Sequence, residues 1–386
     1  MRQAVGLTER KSLFASAMAF AYSLPKPSKG TGLGGIGHDM LTRIMRAEDA
    51  LARLDERIAA CSFADGFRAR QHFHEAAATL WLEGELVHEE ELVLHDARMD
   101  IRPPSHELTR AHEVLRTRRR IASAPAGWAA SREGVNHLAR REAATGVKVE
   151  AATAISEQDA LARELAEMDA LLERTEQVLQ GEVPPGGTLR RSSPDPALHD
   201  PQWGEGERVA RWLEVVERAA DEAGAPVLAA ALVWDAWEVA TPLQNQHWLG
   251  LQLAASYLRR AKKARAHLPA LALGLKTISR ERRRSSDRDM RLTALIEAVE
   301  LYAERGMKEL QRLTLAHARI MRKLEGRRTS SSLPALVDLV MARPVVSAAL
   351  IAGELNVTQR AALNLVAELG LREVTGRGRF RAWGVL

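Results

Sequence analysis

The sequence holds one cysteine, Cys61, in 386 residues. A lone thiol closes no internal disulfide and lacks the companions of a zinc or iron–sulfur site, which fits a reducing cytoplasm. No window approaches the ~20 consecutive apolar residues of a membrane span. The basic start "MRQAVGLTERK" and the apolar run "SLFASAMAFAYSL" imitate a secretory signal. Nothing downstream looks secreted, so the expectation is a first helix that packs on the body of a cytoplasmic protein. Period-two alternation is also scarce. Apolar residues make up 46% and Ala, Leu, Glu and Arg dominate, so a mainly α protein of two or three domains follows.

Charge is unevenly spread. Residues 276–386 carry 21 Lys+Arg against 12 Asp+Glu, whereas the preceding residues carry 34 against 38. The basic end suits a polyanion.

Pro and Gly mark the divisions. "PKPSKGTGLGGIG" closes an N-terminal segment and linker, residues 1–38. Its Gly32, Gly34 and Gly37 spell GxGxxG, but prolines stand where a dinucleotide site needs a strand, so a connector is expected. Residues 39–180 form an N-terminal helical region. Of its histidines, His72 and His74 are two apart and diverge on a helix, so exposed side chains are expected rather than a metal site. Leu161, Leu165, Met168, Leu172 and Leu179 make a short coiled-coil seam. So short a seam suits packing within its own domain, and a homodimer stays open. Five prolines and five glycines in 181–206 mark a linker or surface loop. Helices resume over 207–328, and the winged module occupies 329–386.

That module carries the clearest signal. "LPALVDLVMAR" reads as a helix. Ser347 can cap a short helix bearing Ala348, Ile351 and Leu355. After the turn "NV", Thr358 caps a second helix with Ala362, Leu363, Val366 and Leu369 on one face. Two short amphipathic helices joined by a small turn form a helix-turn-helix. Its second helix would enter the major groove of double-stranded DNA, offering Thr358, Gln359, Arg360 and Asn364 to bases and phosphates. "REVTGRGRFRAW" (372–383) reads as the hairpin wing. Gly376 and Gly378 permit its turn, and Val374, Phe380 and Ala382 cover the small core. Arg377, Arg379 and Arg381 would meet phosphates or a minor groove. The fragment Ser330–Leu386 is expected to fold alone and to bind duplex DNA. The basic runs "LRRAKKARAH" (258–267) and "SRERRRSSDRD" (279–289) are read as solvated faces that could widen a phosphate surface. They contain no aromatic residue for stacking on single strands.

The middle of the chain resembles the Fic family. In "PVLAAALVWDAWEVATPLQNQHWLGLQLAASYLRR" (226–260), Trp237 and Glu238 match the Phe-Glu of HxxFExIHPF. Pro242 and Leu243 match its Pro-Phe, and Gly250 falls near the last glycine of HPFxxGNGRxGR. "TLWLEG" (79–84) is similar to the inhibitory helix pattern [ST]xxxE[GN], through Thr79, Glu83 and Gly84. The whole chain resembles a family of helix-turn-helix proteins common on plasmids of root-nodule bacteria. The resemblance implies a degenerate body. The catalytic histidine position holds Thr241, which is no base near neutral pH. The magnesium-binding acid is replaced by Asn245, a weaker ligand. The phosphate-cradling glycines become Gln246 and Trp248. The arginine becomes Leu249, and His247 stands where the motif has asparagine. The expectation is therefore a DNA-binding regulator with no catalytic residues, no cofactor and no metal. The alternatives are a Fic-type nucleotidyl (AMP) transferase and a partner module of a toxin–antitoxin-like pair.

Overall fold

The computed structural model describes residues 37–99, 103–139, 203–324, 332–375 and 381–384. The expected first helix, the coiled-coil seam, most of the 181–206 loop and the wing tip with Arg377, Arg379 and Phe380 lie outside them.

The chain divides into two compact units, one of residues 1–136 with 204–386 and one of residues 137–203. The larger unit is mainly helical. Its first half holds α1 (His38–Ala59), α2 (Ala64–Leu82), α3 (Glu89–Asp96) and α4 (His106–Ser123), then a 3-10 turn at Trp128–Ala130 and the start of α5 (Arg132–Ala139). After residue 203 come α6 (Glu205–Glu222), α7 (Pro226–Ala240), α8 (Leu249–Arg260), α9 (Leu271–Leu275), α10 (Arg280–Arg283) and the long α11 (Arg288–Leu324). The head follows: α12 (Leu333–Ala342), β1 (Val346–Ser347), α13 (Ala348–Leu355), α14 (Gln359–Leu369), β2 (Arg372–Glu373) and β3 (Ala382–Gly384).

Helix α7 is apolar almost all round, and a helix without a polar stripe has to be central. Val227 through Trp237 are buried along it. Trp212 on α6 meets the Trp237 ring edge-on at 5.1 Å and donates from its indole to the carbonyl of Val233 at 3.0 Å. Helix α11 packs on α1, α7 and α9. There Gly306 leaves room for Leu54: a Cβ on it would stand 2.7 Å from the leucine methyl. Residues 38–123 and 205–324 thus share one core rather than forming the two bodies read from the loop between them. A Pro/Gly-rich stretch marks where the chain leaves the helical pattern, not where packing stops.

The buried ionic groups are the least expected part of this core. Arg118 on α4 is fully buried and donates to the carbonyls of Leu268 at 2.6 Å and Pro269 at 3.1 Å. Glu75 on α2, equally buried, lies 3.9 Å from that guanidinium and accepts from the Leu273 amide at 3.1 Å. Asp55 on α1 accepts from the amides of Arg265 and Ala266 at 2.9 and 2.8 Å, and its carboxylate lies 2.8 Å from His267 Nδ1. The loop between α8 and α9 is pinned by these contacts. The run "LRRAKKARAH", read as a solvated face, is solvated at Arg260, Lys262 and Arg265 and structural at other positions. Arg259 donates to the Ile121 carbonyl, Lys263 pairs with Glu48, and Ala264 and His267 are buried. The run "SRERRRSSDRD" is mostly exposed, as read, but Arg282 pairs with Glu297 and Arg288 extends toward Asp235 at 3.4 Å.

The histidines also differ from expectation. His88 is exposed, whereas His72, His74 and His95 are half-buried. His74 lies 2.6 Å from Glu89, and His95 meets the ring of His112. Burial holds His72 well below the ordinary histidine range, with Arg118 and Arg119 adding to the effect. Among the described residues no group of three His, Cys, Asp or Glu is placed to hold a metal ion.

Candidate nucleic-acid interface

The head builds its helical pair from local rules. Ser347 Oγ accepts from the Leu350 amide at 3.2 Å and starts α13. Asn356 ends it with a left-handed φ of 52°, a conformation asparagine tolerates better than most side chains. Two residues later Thr358 Oγ1 accepts from the Ala361 amide at 3.2 Å and starts α14. Gly370 ends α14 at φ 62°. Each hydroxyl satisfies an amide that the first helical turn leaves open.

A three-stranded sheet of order β1-β3-β2 closes the head, with Val346 opposite Trp383 and Arg372 opposite Gly384. Leu336, Val337 and Val340 from α12 are buried, as are Ile351, Ala362, Val366 and Leu369 from the helical pair and Ala382 and Trp383 from β3. Trp383 supplies the large aromatic of this core, and Val374 is only half-buried. Gly384 is required where β3 passes the chain before β1, since a Cβ would meet the Pro344 carbonyl at 2.6 Å.

Thr358, Gln359, Arg360 and Asn364 are all exposed on the first turns of α14. They share that outward surface with Leu363, which was expected in the core but is 41% exposed. The core stripe of so short a helix is narrow: Ala362, Val366 and Leu369 fill it, and Leu363 lies one position round. An apolar side chain there suits a thymine methyl, and only the observed rotation of the helix reveals it. Thr358 starts the helix through its oxygen and keeps its hydroxyl exposed.

In the wing, Arg381 is held across the hairpin. Its Nε donates to Glu373 at 2.8 Å, Nη2 lies 2.5 Å from the same oxygen, and the guanidinium sits 5.3 Å from the Trp383 ring centre. The Glu373 hydrogen bond raises its pKa, and the side chain remains 49% exposed. A phosphate at Arg381 therefore has to share it with a carboxylate.

The head rests on the body through two cations at helix ends. Arg70 on α2 is buried and donates to Met341 O at 3.0 Å, with Val340 O and Arg343 O each at 3.4 Å. These carbonyls lie at the C-terminal end of α12, where a positive charge is favoured. Burial draws the Arg70 pKa down to about 10, so the group stays charged at neutral pH. Gly66 permits the approach, because a Cβ there would stand 1.7 Å from Met341 O. At the other contact, Lys323 on α11 donates to the Leu369 carbonyl at 2.8 Å, the end of α14.

The loop from Thr241 to Trp248 is a compact connector. Thr241 ends α7 at φ 40°, and its amide donates to Trp237 O at 2.8 Å. Arg208 donates to the Ala240 carbonyl at 2.8 Å and reaches Thr241 Oγ1 at 3.4 Å. Pro242 and Leu243 are buried, while Asn245 and His247 are exposed. Trp237 donates from its indole to the His247 carbonyl at 3.1 Å, and Gly250 lies flat against that ring, with room for no Cβ. Gln246 and Trp248 are both buried. The side chains at the loop's centre thus fill space beneath it. Thr79 is buried inside α2, and Gly84 turns the chain at φ 92°. Glu83 is paired with Arg110 of α4 at 2.5 Å, and Glu85 holds the same guanidinium.

A capped helical pair, an outward polar face on its second helix and a β-hairpin beside it define a helix-turn-helix DNA-binding domain, and the family described as "HTH DNA binding domain" matches residues 333–386. The family described as "Protein of unknown function (DUF1612)" matches residues 197–325. The chain is 46% identical over 357 residues to the protein printed as "Uncharacterized protein y4cF" of Sinorhizobium fredii, covering 86% of this chain and 93% of that one. The chain belongs to the family of that rhizobial protein: a DUF1612 body followed by a C-terminal helix-turn-helix DNA-binding domain. No helix among the described residues is long and apolar enough to cross a membrane.

Proposed function

We propose that this protein is a transcriptional regulator that binds duplex DNA in the cytoplasm, sequence-specifically, through α14. The exposure of Gln359, Arg360 and Asn364 together on a helix whose start is capped and whose end is anchored carries the reading. Arg pairs with guanine, and Gln or Asn with adenine, in the major groove. Selection of bound duplexes from a random pool is the direct test. Enrichment of one motif supports the reading, and a pool that stays random overturns it. A two-fold repeat in the motif would assign a homodimer. On the selected site, Arg360→Ala and Asn364→Ala are each expected to cost about 1–3 kcal/mol and to relax the preference at one base pair, as read by gel shift.

The body is a degenerate Fic-like scaffold in this reading, and the protein is not an enzyme. Thr241 is bound into the end of α7, and a threonine hydroxyl does not act as a base near neutral pH. Gln246 and Trp248 put side chains where a phosphate cradle needs bare backbone. The partner of Glu83 is Arg110, from outside that loop. Incubation with labelled ATP is expected to transfer no label to the protein itself or to added protein substrates. Robust transfer abolished by His247→Ala would replace this reading with nucleotidyl transfer.

A further inference from the structure

The C-terminal half of helix α11 shows a solvent face of one sign. Arg305, Lys308, Arg312, Leu315, Arg319 and Arg322 follow at alternating steps of three and four residues, the spacing that keeps side chains on one helix face. All six are exposed, Leu315 at 60%. The opposite face, Tyr302, Ala303, Gly306, Leu310, Leu313 and Ile320, is buried. From Arg305 to Arg322 the only acid is Glu309, which pairs with Arg312 at 2.9 Å. Arg305 lies near Glu89 and lowers that carboxyl's pKa. At 1.5 Å per residue the stripe is about 26 Å long, which spans about eight phosphates of one strand.

We propose that this stripe is a second DNA-binding surface, which grips the phosphate backbone beside the site read by α14. It rests on the DNA-binding reading and adds the body to the contact. Two observations favour this occupant. The stripe is continuous with the head, because Lys323, one residue beyond Arg322, is bonded to the end of α14. Its charge also argues against the main alternative. Five cations at the spacing of a coiled-coil seam repel a second copy of themselves, whereas an apolar seam would attract one. The stripe carries no base-reading geometry, so its contribution is independent of sequence and sensitive to salt.

The test uses the full chain with Lys308→Gln, Arg319→Gln and Arg322→Gln combined. These side chains are exposed on the surface, and unchanged thermal unfolding confirms that the variant folds. Two duplexes are titrated at several salt concentrations: the selected site alone, and the same site extended by about ten base pairs, one helical turn, on each side. Wild type is expected to bind the extended duplex with the steeper salt dependence. The triple variant should flatten that slope by about 0.9 per lost phosphate, close to three in all, and leave the short duplex unaffected. Equal slopes for wild type and variant on the extended duplex overturn the stripe while leaving the reading head intact. Absence of binding to either duplex at low salt overturns the DNA reading itself. A self-associated wild type that the variant converts to monomer without DNA assigns the face to a second copy and also overturns the proposal.

Discussion

Replacing Arg118 by leucine is expected to remove about 3–5 kcal/mol of folding stability, the largest single loss among exchanges in the body. The side chain is fully buried and donates to two carbonyls of the loop before α9. Leucine leaves those carbonyls without their donor, and it leaves the buried carboxyl of Glu75 without its compensating charge. Burial already raises the Glu75 pKa above its ordinary value, with Arg118 opposing the rise. Without Arg118 the folded state holds that proton more tightly. A carboxyl whose folded pKa lies above its unfolded value loses stability as pH rises between the two. The Arg118→Leu deficit should therefore deepen as pH climbs from about 4.5, the ordinary glutamate value. Adding Glu75→Gln should recover part of the loss and remove its pH dependence. Urea unfolding at acidic and neutral pH measures both effects. A pH-independent deficit, unchanged in the double variant, would show that the loop carbonyls alone matter.

The second large effect concerns how the head is carried. Arg70→Met keeps the length of the side chain and removes the guanidinium that caps α12. Two buried carbonyls and a part-buried one lose a charged donor, and hydrogen bonds to charged groups contribute about 1.5–3 kcal/mol each in isolation. Because the head has its own core of Leu336, Ile351, Val366 and Trp383, the loss should fall on the junction rather than on either part. Calorimetry is expected to resolve an early transition of the head ahead of the body, where wild type unfolds in one step. Binding to the selected site should survive, because the reading face of α14 is remote in sequence from the cap and built by local contacts. Unfolding of the variant in a single step at the wild-type temperature would mean that Arg70 does not couple the two.

The head was legible because its rules are short-range. Ser347 and Thr358 each bond an amide three residues on, and Ala362, Val366 and Leu369 recur at helical spacing. A reader of the sequence needs only a window of a few residues to see them. Leu363 escaped because the width of the buried stripe depends on what packs against it. The mainly helical body was legible for the same reason.

What the amino-acid sequence determined by itself, then, is the helical character of the chain, the caps and turn of the helix-turn-helix and the polar outer face of α14. All of these follow from side chains acting within one or two helical turns. What only the tertiary structure decided is where each charge ends up. Arg70 and Met341 are 271 positions apart. Arg118 and the loop it pins are separated by 150 positions. Basic runs that look alike in sequence become a pinned loop at 258–267, where Arg259 and Lys263 are bonded to the body, and an open stripe on α11. A cation's own chemistry is the same in water and in a core. Its fate rests on which distant element comes to cover it, and that is a property of packing rather than of local sequence.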